Sequence, residues 1–166
     1  PFSTTNLPSA ATKLNRYTYA AADKVLDMVE NNEVVKYELI TMPGIVNTNL
    51  VNKLVSNTEK RADSLAIVDL NSGFSGKHEN AGTDTLGSLT TLKNSVNTHR
   101  FNTSYAAAYW PEVVAYDSGE FILPASVAGV GAIAASEKAT NYPWFAPAGF
   151  NRGGISKLGG SAGPTV

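Results

Sequence analysis

The run Ser64-Leu-Ala-Ile-Val-Asp-Leu70 constrains the fold of this chain more than any other stretch. Leu65, Ala66, Ile67 and Val68 are apolar in unbroken succession, so a strand here turns neither face to water. That is the pattern of a strand covered on both faces, as in the parallel sheets of α/β proteins. A chain of 166 residues is long enough for one such core and not for two. Its 43% hydrophobic and 16% charged residues make it an ordinary globular sequence, on the charge-poor side.

The segments before the central strand complete a familiar unit. Val34 to Met42 reads as a strand closed by Pro43-Gly44. Leu50, Val51, Leu54, Val55 and Thr58 then share one face of a helix over Asn49 to Lys60, with Asn47 or Thr48 as its N-cap. Strand, helix and strand with short joints make a βαβ unit with a right-handed crossover. Upstream, Ala22, Val25, Leu26 and Val29 fall at i, i+3, i+4 and i+7 of a helix over Tyr17 to Glu30. Thr18 is its candidate cap and Asn31-Asn32 its stop. Residues 1–15 read as an extended lead-in.

Downstream, Leu86, Leu89, Leu92, Lys93 and Val96 predict a helix over Asp84 to Asn97, with Gly87 inside it at a cost in helix propensity. Thr103 to Trp110 is a third strand, ended by Pro111. Val113 to Tyr116 and Glu120 to Leu123 flank Asp117-Ser118-Gly119, a hairpin signature. Pro124 opens an alanine-rich helix to about Ala139, capped or fronted by Ser126 and containing Gly129 and Gly131. Residues 157–166 read as a flexible Gly-rich tail. The expected fold is one α/β domain over residues 16–156. It has three or more mostly parallel strands with helical crossovers, a β-hairpin and a small-residue helix.

Several function classes lose support on composition alone. A net charge of −1 offers no basic field for a nucleic-acid backbone, so no direct nucleic-acid partner is expected. The absence of cysteine removes disulfides, thiolate metal sites and a cysteine nucleophile together. No apolar run is long enough to span a bilayer, and no membrane insertion is expected. No signal peptide is visible at the N-terminus.

The loop Asp69-Leu-Asn-Ser-Gly-Phe-Ser-Gly-Lys-His78 is the strongest enzymatic signal. Gly76-Lys77 after a buried strand resembles part of a phosphate loop, but Asn71 and His78 stand where that loop needs Gly and Ser or Thr. Asp69 sits at the strand's carboxyl end, a common place for a catalytic acid and a commoner one for a turn or helix-capping group. His78 and His99 have no carboxylate or second histidine at ligand spacing, so no metal is expected. Ser75 misses the nucleophile-elbow spacing by one residue. Asn102-Thr103-Ser104 is a formal glycosylation sequon without a visible secretion signal to support it. No catalytic residue and no cofactor is assigned; an enzyme using Asp69 and His78 is the alternative kept in view.

Tyr142 to Ile155, Tyr-Pro-Trp-Phe-Ala-Pro-Ala-Gly-Phe-Asn-Arg-Gly-Gly-Ile, fits neither helix nor strand. Its aromatics need a surface to lie on, and its prolines and glycines fix a particular backbone path. It is either a loop closing the rim of its own core or a contact surface for another chain. The expectation is core first: Trp144 and Phe145 packed inward, and Arg152 locked to carbonyls or a carboxylate.

Three segments taken together resemble the tail sheath proteins of contractile-tailed bacteriophages. The first is Leu39-Ile-Thr-Met-Pro-Gly44 with Ala62-Asp-Ser-Leu-Ala-Ile-Val-Asp69. The second is Ser104-Tyr-Ala-Ala-Ala-Tyr-Trp-Pro111 with Leu123-Pro-Ala-Ser-Val-Ala-Gly-Val130. The third, Trp144-Phe-Ala-Pro-Ala-Gly-Phe-Asn-Arg-Gly153, is similar to a signature of the large-phage branch. The resemblance spans about Val34 to Ile155. It singles out Pro43, Gly44, Tyr109, Pro111, Pro124, Trp144, Phe145, Pro147, Gly149, Asn151 and Arg152 as signature and packing or assembly positions.

The resemblance implies a structural, non-enzymatic subunit. Its partners would be further copies in a helical sheath, with tail tube and baseplate proteins. It implies assembly in the host bacterial cytoplasm and a final place in the virion, where contraction drives genome delivery. A related contractile injection or secretion system is the alternative it leaves open. Members of that family are longer and carry terminal arms, so this chain, starting at Pro1 without Met, is expected to be a fragment.

Overall fold

The computed structural model describes residues 13–75, 82, 83, 85, 87–99, 101–116, 120–142, 145–149 and 152–155. Its elements are α1 (Lys13–Val29), β1 (Leu39–Thr41), α2 (Thr48–Arg61), β2 (Leu65–Asp69), α3 (Leu89–His99), β3 (Ala106–Tyr109), β4 (Val113–Tyr116), β5 (Glu120–Leu123) and α4 (Ala125–Thr140). β1, β2 and β3 form a parallel sheet with β2 in the middle, pairing Leu39 with Leu65 on one side and Ala66 with Ala106 on the other. β4 and β5 pair antiparallel as a separate hairpin. The α/β architecture read from the sequence is the one observed.

The central strand is covered on both faces, as its composition demands. Ala66 and Val68 join Leu50, Val51, Leu54 and Val55 of α2 and Leu26 of α1 in one buried cluster, with Ile40 and Ala106 at its sides. Each fully buried leucine contributes roughly 1.5–3 kcal/mol. Alternation turns Asp69 to the opposite face, where its carboxylate meets Ser126 of α4. α1 therefore lies on α2, α2 on the sheet, and α4 on the sheet's other side.

Polar clasps hold α1 against α2. Lys53 lies 2.6 Å from both Asp23 and Asp27, and Lys60 lies 2.8 Å from Glu30. Asn57 donates through Nδ2 to the Leu26 carbonyl at 2.7 Å, closing a buried gap between the helices. The shared seven-residue step from Asp23 to Glu30 and from Lys53 to Lys60 means that the two helices run the same way.

Several boundaries differ from those expected. α1 begins at Lys13, so residues 13–15 belong to the helix rather than the lead-in, and Thr18 lies inside it rather than at its cap. Residues 1–12 and 156–166 lie outside the described residues. Val25 is 54% exposed, so the packed stripe of α1 is Tyr19, Ala22, Leu26 and Val29. The expected strand from Val34 to Met42 shrinks to Leu39–Thr41. Its first half is instead a turn in which the Val35 amide bonds the Asn31 carbonyl and the Val35 carbonyl accepts from Arg61, which removes both groups from a ladder.

α3 starts at Leu89, five residues later than the span read from Asp84, and Gly87 precedes it. Ser88 caps it, its Oγ accepting the Thr91 amide at 3.1 Å. Gly87 is needed for contact: a Cβ there would fall within 2.7 Å of Ser72 Cβ. The third strand is the shorter Ala106–Tyr109. The turn residues 117–119 of the hairpin lie outside the described residues.

Candidate functional site

The turn after β1 and the start of α4 meet at the carboxyl end of β2. Asp69, 7% exposed, accepts three hydrogen bonds there. Its Oδ1 takes the backbone N–H of Ser126 at 2.7 Å, and its Oδ2 takes the Ser126 hydroxyl at 2.7 Å and the Gly44 N–H at 3.0 Å. The N-cap position of α4 is Pro124, which supplies no side-chain cap. Asp69 therefore caps the helix from a neighbouring element, and Ser126 is a bound donor rather than the cap expected of it. An anionic carboxylate at a helix N-terminus is favoured by the helix dipole as well as by its hydrogen bonds.

The turn at Pro43-Gly44 is shaped for this contact. Gly44 has φ +72, which places its N–H toward Asp69 and which other residues rarely adopt. A Cβ at Gly44 would also lie 3.5 Å from Pro124 Cγ, so the two signature segments touch. Nearby, Ser72 links the loop after β2 to the segment after β3. Its hydroxyl lies 3.2 Å from Glu112 Oε1, and its carbonyl accepts the Ser88 amide. Trp110–Pro111 is a cis peptide, and Tyr109 lays its ring 3.4 Å from where a Gly129 Cβ would stand.

A second polar knot lies at the other end of β2, and nothing in the sequence reading singled it out. Arg61, its side chain 1% exposed, donates through Nη1 to the carbonyls of Val29 and Val35, and through Nε and Nη2 to Asp63. Its guanidinium lies 4.0 Å from the centre of the Tyr37 ring, and the Tyr37 hydroxyl donates to Val29. One planar fork thus closes the end of α1, the turn before β1 and the start of β2. The available sequence signal was an arginine two residues before an aspartate at the start of a buried strand.

His99 closes α3 against α2. Its Nδ1 lies 3.0 Å from Asn52 Oδ1, and its ring stacks on Phe101 at 4.8 Å. Burial pushes its pKa below the usual histidine value. At the α1–α2 clasp the hydrogen bond from Lys53 lowers the Asp27 pKa, and the bonds to Asp23 and Asp27 raise that of Lys53. Among the described residues no cluster of His, Cys, Asp and Glu could hold a metal. Among the described residues, an open groove is lined by Leu70, Val96, Asn97, Phe101 and Ala108, none of them titratable.

The predicted signature residues fall into two places joined by α4. Pro43, Gly44, Tyr109, Pro111 and Pro124 gather round the Asp69 end of the sheet. Phe145, Pro147, Gly149 and Arg152 lie beyond the helix's other end, where Ser136 donates to the Phe145 carbonyl at 3.2 Å. Phe145 does not pack inward: it is 37% exposed, and its ring is covered by Arg152 at 4.1 Å. Arg152 therefore meets an aromatic face rather than the expected carbonyls or carboxylate, a cation–π contact. Tyr142 is 50% exposed. Trp144, Asn151 and His78 lie outside the described residues.

In comparison with known proteins, the chain matches no family model, no curated protein and no solved structure.

Proposed function

We propose that the chain is a structural subunit of a contractile phage tail sheath, whose copies polymerise around a tail tube and shorten to drive genome delivery. Three ordered segments resembling such sheath proteins motivate the reading. The observation that carries it is the state of Asp69. One carboxylate with both oxygens engaged pins the two parts of the first segment, at Gly44 and Asp69, to the second segment at Ser126. A catalytic base needs a free oxygen within reach of substrate, and Asp69 is instead a strut.

Exposed aromatic surface supports assembly in the same direction. Phe145, Tyr142, Tyr109 and Trp110 all keep more than a third of their surface exposed in the single chain. Further copies of the chain, tail tube and baseplate proteins are the proposed partners, and the virion the proposed destination. Electron microscopy of the intact protein tests the reading. Hollow tubes of stacked rings are the expected result; particles that never exceed a single copy at any concentration would overturn it.

A further inference from the structure

α3 is a helix that its own residues barely support. Of Leu89-Thr-Thr-Leu-Lys-Asn-Ser-Val-Asn-Thr-His99, only Leu89, Leu92 and Lys93 are strong helix formers. The others are Thr, Asn, Ser, Val and His, which lose side-chain freedom in a helix or bond the backbone in competition with it. With 11 residues, α3 is also shorter than the roughly 12–15 at which even a favourable isolated helix is marginal in water.

Packing does not make up the difference. α3 buries one residue, His99, whereas α2 buries seven. Leu89 is 70% and Val96 47% exposed, and the open groove puts Val96 and Asn97 of the helix opposite Leu70 and Ala108 of the sheet. No residue of α3 belongs to the buried apolar cluster of α1, α2 and β2. What holds the helix is a few polar ties. The Ser88 amide donates to the Ser72 carbonyl at 2.8 Å before the first turn, and the Asn71 amide donates to Ser95 Oγ at 3.3 Å. At the last residue His99 meets Asn52 at 3.0 Å and stacks on Phe101.

We propose that α3 is a conditional helix: it stays wound while His99 is seated between Asn52 and Phe101, and unwinds as one unit when His99 leaves. His99 is its one buried side chain, so its release removes the anchor and leaves a segment with too few helix formers to persist. The rest of the domain does not follow, because the contacts that hold α1, α2 and β2 together contain no residue of α3. Such separable units, with few buried apolar contacts, open well below the free energy of global unfolding. Unwinding removes the Val96–Asn97 wall of the groove and leaves Leu70, Phe101 and Ala108 open to solvent. The fold thus carries a second state at one edge of an otherwise unchanged body. This switch does not depend on the subunit reading.

Residue-resolved hydrogen exchange on the full chain tests it, with urea raised in steps below the unfolding transition. The amides of residues 92–99 should share one rate, at least about a hundredfold faster than those of Leu54, Val55, Ile67 and Val68. Their rate should respond little to urea, since a local opening exposes little surface. Asn52→Ala removes the partner of His99 from an exposed position of α2 and should raise the shared rate about fivefold. Thr90→Ala with Asn94→Ala improves helix propensity at two exposed positions away from His99, and should lower that rate about fivefold. Ile67→Val loosens the part that stays folded. It should quicken the Leu54 and Val68 amides about fivefold and leave α3 unchanged.

α3 amides that share the rate and urea response of the core would overturn the proposal, as would Ile67→Val quickening both alike. Rates graded inward from the helix ends would show fraying in place of a unit. An Asn52→Ala chain with unchanged α3 exchange would remove His99 as the anchor. Whether the chain builds tubes does not enter any of these readings.

Discussion

Asp69 holds Ser126 twice, through its backbone N–H and through its hydroxyl, both at 2.7 Å, although the two residues are 57 positions apart. A helix N-terminus leaves several backbone donors without partners inside the helix. α4 satisfies its first turn with a carboxylate at the end of the strand it covers, so the cap and the docking of the helix are the same interaction. Gly44 shares that carboxylate, which ties the turn after β1 to both.

Asp69→Ala should therefore cost more than a surface helix cap. It leaves the amides of Ser126 and Gly44 and the Ser126 hydroxyl without their acceptor, for an expected loss of about 3 kcal/mol. Asp69→Asn keeps one acceptor oxygen but turns a donor toward other donors, and should cost about half as much. Urea denaturation measures both. A loss below about 0.5 kcal/mol for the alanine variant would remove Asp69 from its role as strut.

Arg61→Lys is a sharper test of the second knot than removal of the charge. Lysine keeps the charge but cannot reach the Val29 and Val35 carbonyls and both Asp63 oxygens from one plane, and it loses the face-on contact with Tyr37. The expected cost is about 2 kcal/mol, with Arg61→Met nearer 3 kcal/mol. Hydrogen exchange should quicken first in the last turn of α1 and in residues 31–37. Equal stability of the lysine variant would mean that the fork geometry is idle.

What the sequence revealed and what it hid divide along a physical line. The central strand, α2 and the Asn47 cap were legible because each is specified by its own residues: continuous apolarity, a helical stripe, and a side-chain oxygen next to the first turn. The Asn47 Oδ1 accepts the Asn49 and Leu50 amides, as such a cap does. β1 was overextended because Val34 and Val35 look like strand residues, while a distant arginine claims the Val35 carbonyl. α3 was placed too early because the Gly87–Ser72 contact cannot be read from local spacing. The Asp69 position was legible, but its tie to Ser126 was not, since tertiary capping leaves no local pattern.

Two glycines make opposite predictions under the same substitution. Gly87→Ala drives a methyl group against the Ser72 side chain, and should destabilise by about 1–3 kcal/mol. Gly131→Ala adds a methyl group into open space within a helix, and should stabilise the monomer by about 0.5–1 kcal/mol. Thermal melts of the pair under identical conditions decide it. Shifts of the same sign would contradict the packing assigned to one of them.

Acidification should loosen α3 through His99. The imidazole is buried against Phe101 and bonded to Asn52, and burial holds its pKa below the ordinary value of 6.5. In the unfolded chain the ring takes a proton near that ordinary value, whereas in the folded chain it takes one only at lower pH. Between the two, the unfolded state holds more protons, so stability is fully present above the unfolded pKa and declines as pH falls. Below the folded pKa the loss is complete and this contribution becomes flat. His99→Gln can still donate to Asn52 but has nothing to titrate. Its urea midpoint should fall less than that of the wild type between about pH 7 and pH 5, and its stability at pH 8 should differ only by lost stacking. Asp27, held low by its bond from Lys53, gives up stability in a separate, more acidic range that both proteins share. Parallel curves for the two proteins from pH 7 to pH 5 would show that His99 is not what responds.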